Sequence, residues 1–130
     1  DLCFSGKHTY VELKSMITGK GGLVAYLGTN NFVDVCGMAE AGNLRAIIIR
    51  DALAYQIAKE IGAMAAVLKG KVDAIILTGG LAHQQSHVAR ITDMVGFISK
   101  VIVYPGENEV SALALNGLLV LKGKIEVRDY

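Results

Sequence analysis

Val72-Asp73-Ala74-Ile75-Ile76-Leu77-Thr78 runs directly into Gly79-Gly80-Leu81-Ala82-His83. The first seven residues are apolar and rich in β-branched side chains, the composition of a strand buried in a parallel sheet. A strand that stops at Gly-Gly and restarts as a helix leaves a crevice at its carboxyl end, where open α/β sheets bind ligands. The absent side chains let a ligand lie against the main chain. The same order of residues also serves an ordinary strand-to-helix connection, so the stretch speaks for an α/β fold before it speaks for a function.

Further along, Val101-Ile102-Val103-Tyr104 ends at Pro105-Gly106 and is followed by Glu107-Asn108-Glu109 and an apolar helix. A crossover helix between the two strands makes them parallel neighbours, because right-handed βαβ connections dominate. Both strand ends then face one crevice. The second loop has two readings. Carboxylates at Glu107 and Glu109, beside a glycine-lined phosphate cradle, suit Mg²⁺, a hard cation that takes oxygen ligands. Equally, Asn108 is a good helix N-cap and acids are favoured in a first turn.

Outward from these strands, Thr9 with Glu12 forms a capping box that opens a helix running to about Thr18, closed by Gly19. A glycine-rich turn leads into Leu23-Val24-Ala25-Tyr26-Leu27, read as an extended piece, which ends at Gly28-Thr29-Asn30-Asn31. The longest helix is expected from Leu44 to Leu68, capped by Asn43 and stopped by Gly70, with a span of about 35 Å. Its apolar residues exceed a single stripe, so it should be covered on most sides. Ala54, Ala58 and Gly62 permit close packing against the sheet and another helix. A third helix should run from near Ser86 to Gly96, and a fourth, very apolar one from about Val110 to Leu121, ended by Gly123. Two firm strands and one short extended piece make a poor sheet for four helices. Further strands are therefore expected upstream of Asp1, and the absent initiator methionine fits that expectation.

Composition narrows the function classes. A content of 52% hydrophobic and 19% charged residues in 130 positions describes one α/β domain with an ample core. The net charge of +1, with dispersed Lys and Arg, argues against nucleic acid as a partner. No apolar run reaches membrane-spanning length, since Arg50, Asp51, Gln56, Lys59 and Glu60 interrupt the long helix. The first residues lack the basic start and apolar core of a secretory signal. Cys3 and Cys36 lack metal spacing and read as small apolar fillers in a reducing, cytoplasmic compartment. His83 and His87 are spaced as zinc ligands on a helix, but Gln84 stands where a metalloprotease needs glutamate. His83 is better read as a loop residue at the crevice and His87 as an ordinary helix residue. Gly19-Lys20-Gly21-Gly22 lacks the spacing and the Lys-Ser or Lys-Thr pair of a P-loop and is a turn. Arg50 with Asp51, and Lys59 with Glu60, read as solvated or locally paired positions.

Four stretches together carry a family resemblance: Gly21 to Asn30, Ala54 to Gly62, Asp73 to His83, and Tyr104 to Glu109. In order, and over nearly the whole chain, they resemble the carboxyl-terminal portion of the butyrate kinases, which belong with the acetate kinases, sugar kinases, Hsp70 chaperones and actin. The resemblance implies an incomplete ribonuclease-H-like α/β domain with parallel strands near 72–78 and 101–104 flanked by long helices. It also implies that residues 1–130 are the carboxyl-terminal nucleotide-binding part of a two-domain acyl kinase whose amino-terminal domain lies outside this chain. ATP and Mg²⁺ are the implied cofactors, and a short-chain carboxylate or acyl phosphate, shared with the other domain, the implied substrate. Carried over by position, Thr78, Gly79, Gly80 and Leu81 match the adenosine motif, with His83 beside the nucleotide. Gly28, Thr29 and Asn30 match the region between the domains near the nucleotide. Glu109 matches a carboxylate placed near Mg²⁺ and is the catalytic and metal candidate. Family members often carry aspartate where this chain has Asn31. Relatives of this kind pair through carboxyl-terminal domains, so the apolar last helix suggests a homo-oligomer. A second function class, a nucleotide-gated interaction domain of the actin or chaperone type, would use Leu77 to His83 equally well; the match around Tyr104 to Glu109 favours the kinase.

Overall fold

Two parallel strands organise the molecule: β1 (Ile75–Gly79) and β2 (Val101–Pro105) pair in register from Ile75 opposite Val101 to Gly79 opposite Pro105. The computed structural model describes residues 1–106 and 109–127. Six helices accompany the sheet: α1 (Tyr10–Thr18), α2 (Gly22–Leu27), α3 (Phe32–Glu40), α4 (Leu44–Val67), α5 (Gln85–Val95) and α6 (Glu109–Leu121). The α/β class and the parallel pairing expected from the two apolar runs are both present. None of the helices among the described residues is long and apolar enough to cross a membrane.

Local chemistry accounts for most boundaries. In α1 the capping box is complete: the Glu12 amide donates to Thr9 Oγ1 at 3.3 Å and the Thr9 amide donates to the Glu12 carboxylate at 2.7 Å. The Thr9 amide, and after it the Thr9 hydroxyl donating to the same carboxylate at 3.0 Å, hold the exposed Glu12 carboxyl below the usual carboxylate range. Asn43 caps α4 by accepting from the Ala46 amide at 3.1 Å, and Lys69 and Gly70, both with positive φ, end it. Gly123, at φ 65, ends α6 as its glycine suggests.

Two expectations need correction. Leu23–Leu27 is helical rather than extended, as most of α2; Gly28, at φ 74, caps it and its amide donates to the Val24 carbonyl. Six residues that are apolar all round carry no periodicity by which helix and strand could be told apart. The helix α3 was not anticipated at all. Its start is set by Asn31, whose side-chain oxygen accepts from the Val33 amide at 3.1 Å, with Asp34 in the first turn. Gly37 in its interior weakens the helical pattern.

The main core lies between one sheet face and two helices. Ala54 and Ala58 of α4 meet Ile75 of β1 and Ile91 and Val95 of α5. Alanine at these positions lets the helix axis approach the sheet closely. Asp51 on α4 accepts from Arg50 Nε at 3.0 Å and forms an ion pair with Arg90 Nε of α5 at 3.1 Å, so the local pair read from sequence also joins the two helices. Lys59 bonds Gln56 rather than Glu60. A second cluster gathers Phe32, Val35 and Cys36 of α3 with Leu23, Leu27, Leu53 and Leu81. Cys36 is thus a buried filler, whereas Cys3 is exposed and is not.

The cover expected around α4 and α6 is missing. Leu44, Ile48 and Val67 of α4 are exposed, and α6 buries no residue, with Leu113 and Leu121 open to solvent. On the sheet face away from α4 and α5, Ile76 and Tyr104 are both 61% exposed. Replacing Ala54, fully buried between α4 and its neighbours, by Leu is expected to destabilise the chain by about 1–3 kcal/mol through overpacking. Urea unfolding of Ala54→Leu against the unsubstituted chain measures it, and an unchanged midpoint would mean that this contact is loose.

Candidate functional site

Gly79 closes β1 at φ 83 and ψ −173, a combination essentially confined to glycine. Gly106, beyond the end of β2, has φ 97. The Gly106 amide donates to the Gly79 carbonyl at 3.2 Å, so the two strand ends turn away from the sheet as a stitched pair. Nothing lies within 4 Å of where a Cβ would stand on Gly79 or Gly80. Gly80, with ordinary φ, is not demanded by its backbone or by packing within the chain. It leaves main chain open, as close approach of a ligand requires.

The adjoining residues divide between scaffold and crevice. Leu81 is half-buried, packed against the cluster of Phe32, Val35 and Cys36, and it also borders a cavity of about 240 Å³ beside Thr78. The packing contact ties the 3₁₀ turn Gly80–His83 to the cluster that α2 and α3 form. Ala82 is buried. His83 is exposed, with its ring against the Gly106 backbone. Thr78 is exposed and opposite Tyr104 in the register.

In the 28–31 loop, hydroxyl and amide groups are largely committed to the corner itself. Thr29 Oγ1 donates to Asp34 Oδ2 at 3.2 Å and accepts from the Asn31 amide at 3.0 Å. Asn31 Nδ2 donates to Asp34 Oδ1 at 3.1 Å. An aspartate at 31 would set two carboxylates side by side here, so asparagine suits a corner built on Asp34. Sequence reasoning passed over Asp34. The signal for it was an acid three residues after an Asn N-cap. Asn30 is exposed.

Glu109 opens α6 and is exposed. Glu107 and Asn108 lie outside the described residues, and so do the capping and metal readings that involve them. Among the described residues no group of three or more His, Cys, Asp or Glu could hold a metal ion. A single exposed carboxylate such as Glu109 has the chemistry for Mg²⁺, which is commonly bound through one or two carboxylates with phosphates and water supplying the rest. Two grooves border the sheet. One, of about 510 Å³, is apolar and lies along α4 at the amino-terminal end of β1, away from the glycines. The other, of about 710 Å³, is flanked by His83, Gln85, Asp93 and Pro105 and adjoins the crevice.

The residue that sequence reading most undervalued is His87. Rather than an ordinary helix position, it is 1% exposed, with its ring edge-on to Phe32 at 4.6 Å between centroids. Neither ring nitrogen has a hydrogen-bond partner among the described residues. Burial pushes its pKa below the ordinary imidazole value; Arg50 and Arg90 act in the same direction and Asp51 opposes them.

A family model described as the acetokinase family matches residues 5–103. Over 130 residues the chain is 53% identical to a protein named probable butyrate kinase 2 from Caldanaerobacter subterraneus subsp. tengcongensis, covering 100% of this chain and 37% of that protein. Over 129 residues it is 51% identical to butyrate kinase 2 of Clostridium acetobutylicum, covering 99% and 36%. The probable butyrate kinase of Listeria monocytogenes is 47% identical over 130 residues, covering 100% and 37%. The chain therefore spans a little over a third of the length of the curated relatives it matches. Among solved structures, acetate kinase of Porphyromonas gingivalis superimposes with a TM-score of 0.75 at 20% identity, over 92% of this chain and 36% of that one. That likeness is one of fold.

The buried imidazole has a measurable consequence. Because the His87 pKa is lowered in the folded state from an ordinary value of 6.5, the unfolded chain binds a proton that the folded chain refuses. Stability is then full above about pH 6.5 and falls as the pH drops below it, by up to about 1.4 kcal/mol per pH unit until the lowered value is reached. Urea unfolding at pH 7.5 and 5.5 should show a smaller acid loss for His87→Leu than for the unsubstituted chain; equal losses would contradict the assignment.

Proposed function

The chain belongs to the acetokinase family, and from that premise we propose that it is the carboxyl-terminal, nucleotide-binding part of a two-domain carboxylate kinase. The reaction is reversible phosphoryl transfer between ATP and a short-chain carboxylate, butanoate in this reading. The observation that carries the proposal is the pair of strand ends joined by the Gly106 to Gly79 hydrogen bond around open glycine backbone. The family match and the relatives' names favour kinase chemistry over a gated interaction domain.

In this reading the adenosine lies against the main chain of Thr78, Gly79, Gly80 and Leu81, with His83 beside it and Gly28, Thr29 and Asn30 on the neighbouring corner. Leu81 contributes through its backbone, since its side chain is packed in the second cluster. Thr29 likewise acts through the corner it braces. Glu109 supplies a carboxylate oxygen to Mg²⁺, which when bound neutralises phosphate charge. Phosphoryl transfer depends on positioning and on neutralising developing charge more than on covalent help from the protein. The remaining groups, including the carboxylate site, belong to the amino-terminal domain. Closing the two domains would exclude water from the reacting phosphoryl.

The uncovered surfaces support an incomplete ribonuclease-H-like domain. Parallel sheets are normally buried on both faces, whereas Ile76 and Tyr104 are exposed here. Further strands and helices from the rest of the protein would cover them. The exposed leucines of α6 support pairing of two copies, and a cytoplasmic location accords with the substrates proposed.

Calorimetry with ATP and Mg²⁺ tests the reading. Glu109→Gln is expected to weaken Mg²⁺-dependent nucleotide binding by about tenfold, equivalent to about 1.4 kcal/mol, while binding without metal is unchanged. Loss of both in equal measure would remove Glu109 from the metal site. The 130-residue chain alone is expected to give no butanoate-dependent consumption of ATP, and turnover clearly above background would refute the division of labour.

A further inference from the structure

We propose that His83 is a positioning residue whose imidazole holds Gly106, the residue after β2, against Gly79 and so keeps the two strand ends together at the crevice. A Cβ on Gly106 would come within 3.3 Å of His83 Nε2 and 3.7 Å of Cε1. At every other glycine of positive φ among the described residues, nothing lies within 4 Å of the Cβ position. At those glycines no neighbouring group occupies the space of the missing side chain. At Gly106 the missing side chain also makes room, and the imidazole fills it.

The two sides of this contact are unequally held. His83 ends a 3₁₀ turn fastened to the core by Leu81 and the buried Ala82, and the Gln84 amide closes that turn on the Leu81 carbonyl at 3.1 Å. Gly106 has no such anchor in the core among the described residues. Pro105 and Glu109 are exposed, and α6 buries none of its residues. The described contacts that tie Gly106 to the first loop are the Gly106 to Gly79 hydrogen bond and the His83 ring. A hydrogen bond near solvent, without a packed neighbour, opens readily. The imidazole supplies that neighbour, so His83 acts on the nucleotide through the seating of Gly106 on Gly79.

The functional half of this inference rests on the nucleotide-binding reading, whereas its structural half does not, and one pair of variants separates them. Amide hydrogen exchange at Gly106 is measured by NMR in the 130-residue chain, with Ile75, whose amide donates to the Lys100 carbonyl at the far end of the sheet, as internal reference. His83→Ala should speed exchange at Gly106 by about tenfold through local opening and leave Ile75 unchanged. His83→Phe, which keeps a flat ring without the nitrogens, should restore protection at Gly106. Calorimetry with Mg²⁺ and ATP should follow the same order, weaker by about tenfold in His83→Ala and recovered in His83→Phe. Unchanged Gly106 exchange in His83→Ala overturns the proposal. So does weakened binding in both variants with Gly106 still protected, which would make His83 a direct ligand of the nucleotide. If His83→Ala loses protection at Ile75 as well, the chain has unfolded, and His83→Phe decides, since failure to protect Gly106 there overturns the proposal. Absence of nucleotide binding by the unsubstituted chain would instead defeat the functional reading, with the exchange result still deciding the role of His83.

Discussion

The Gly79 backbone conformation, φ 83 with ψ −173, is the constraint on which the rest depends. It turns the chain off the end of β1, aims its carbonyl at the Gly106 amide and frees the next residues to form the 3₁₀ turn. Any residue with a Cβ would be strained there, and the strand would end differently. From this one turn follow the seating of Leu81 in the second cluster, the burial of Ala82, and the start of α5 on the correct face of the sheet.

The rest of the molecule shows what such a crevice needs behind it. Small side chains at Ala54 and Ala58 bring α4 close to β1, while Asp51 holds Arg50 and Arg90 and ties α4 to α5. Buried His87 and Phe32 join the start of α5 to the start of α3. The loops at 28–31 and 79–83 therefore stand on one packed base. By contrast α6, which carries Glu109, rests on little that is described. Among the described residues the glycine side is thus packed against the core, whereas α6 is not.

Much of this was legible in the chain. Apolar runs ending in glycine announced β1, β2 and their crevice, and capping residues announced α1 and α4, because those signals act over a few neighbouring residues. The helix α2 was misread because six apolar residues have no period, and α3 was missed because Gly37 interrupts its pattern. In the site, Gly79 and Gly80 were readable as open backbone. The inward commitment of Thr29 and Leu81 was not, since it depends on Asp34 and on the Phe32 cluster.

By itself the sequence determined the α/β class, the order of the elements and the glycines on which a flat or phosphorylated ligand can lie, all of them consequences of local propensity and backbone sterics. Tertiary structure alone decided that His83 meets Gly106, that His87 is buried without a hydrogen-bond partner among the described residues, and that Leu81 packs on the Phe32 cluster. Those outcomes depend on contacts between segments far apart in the chain, and no pattern within one segment encodes which distant side chain will fill the space beside it.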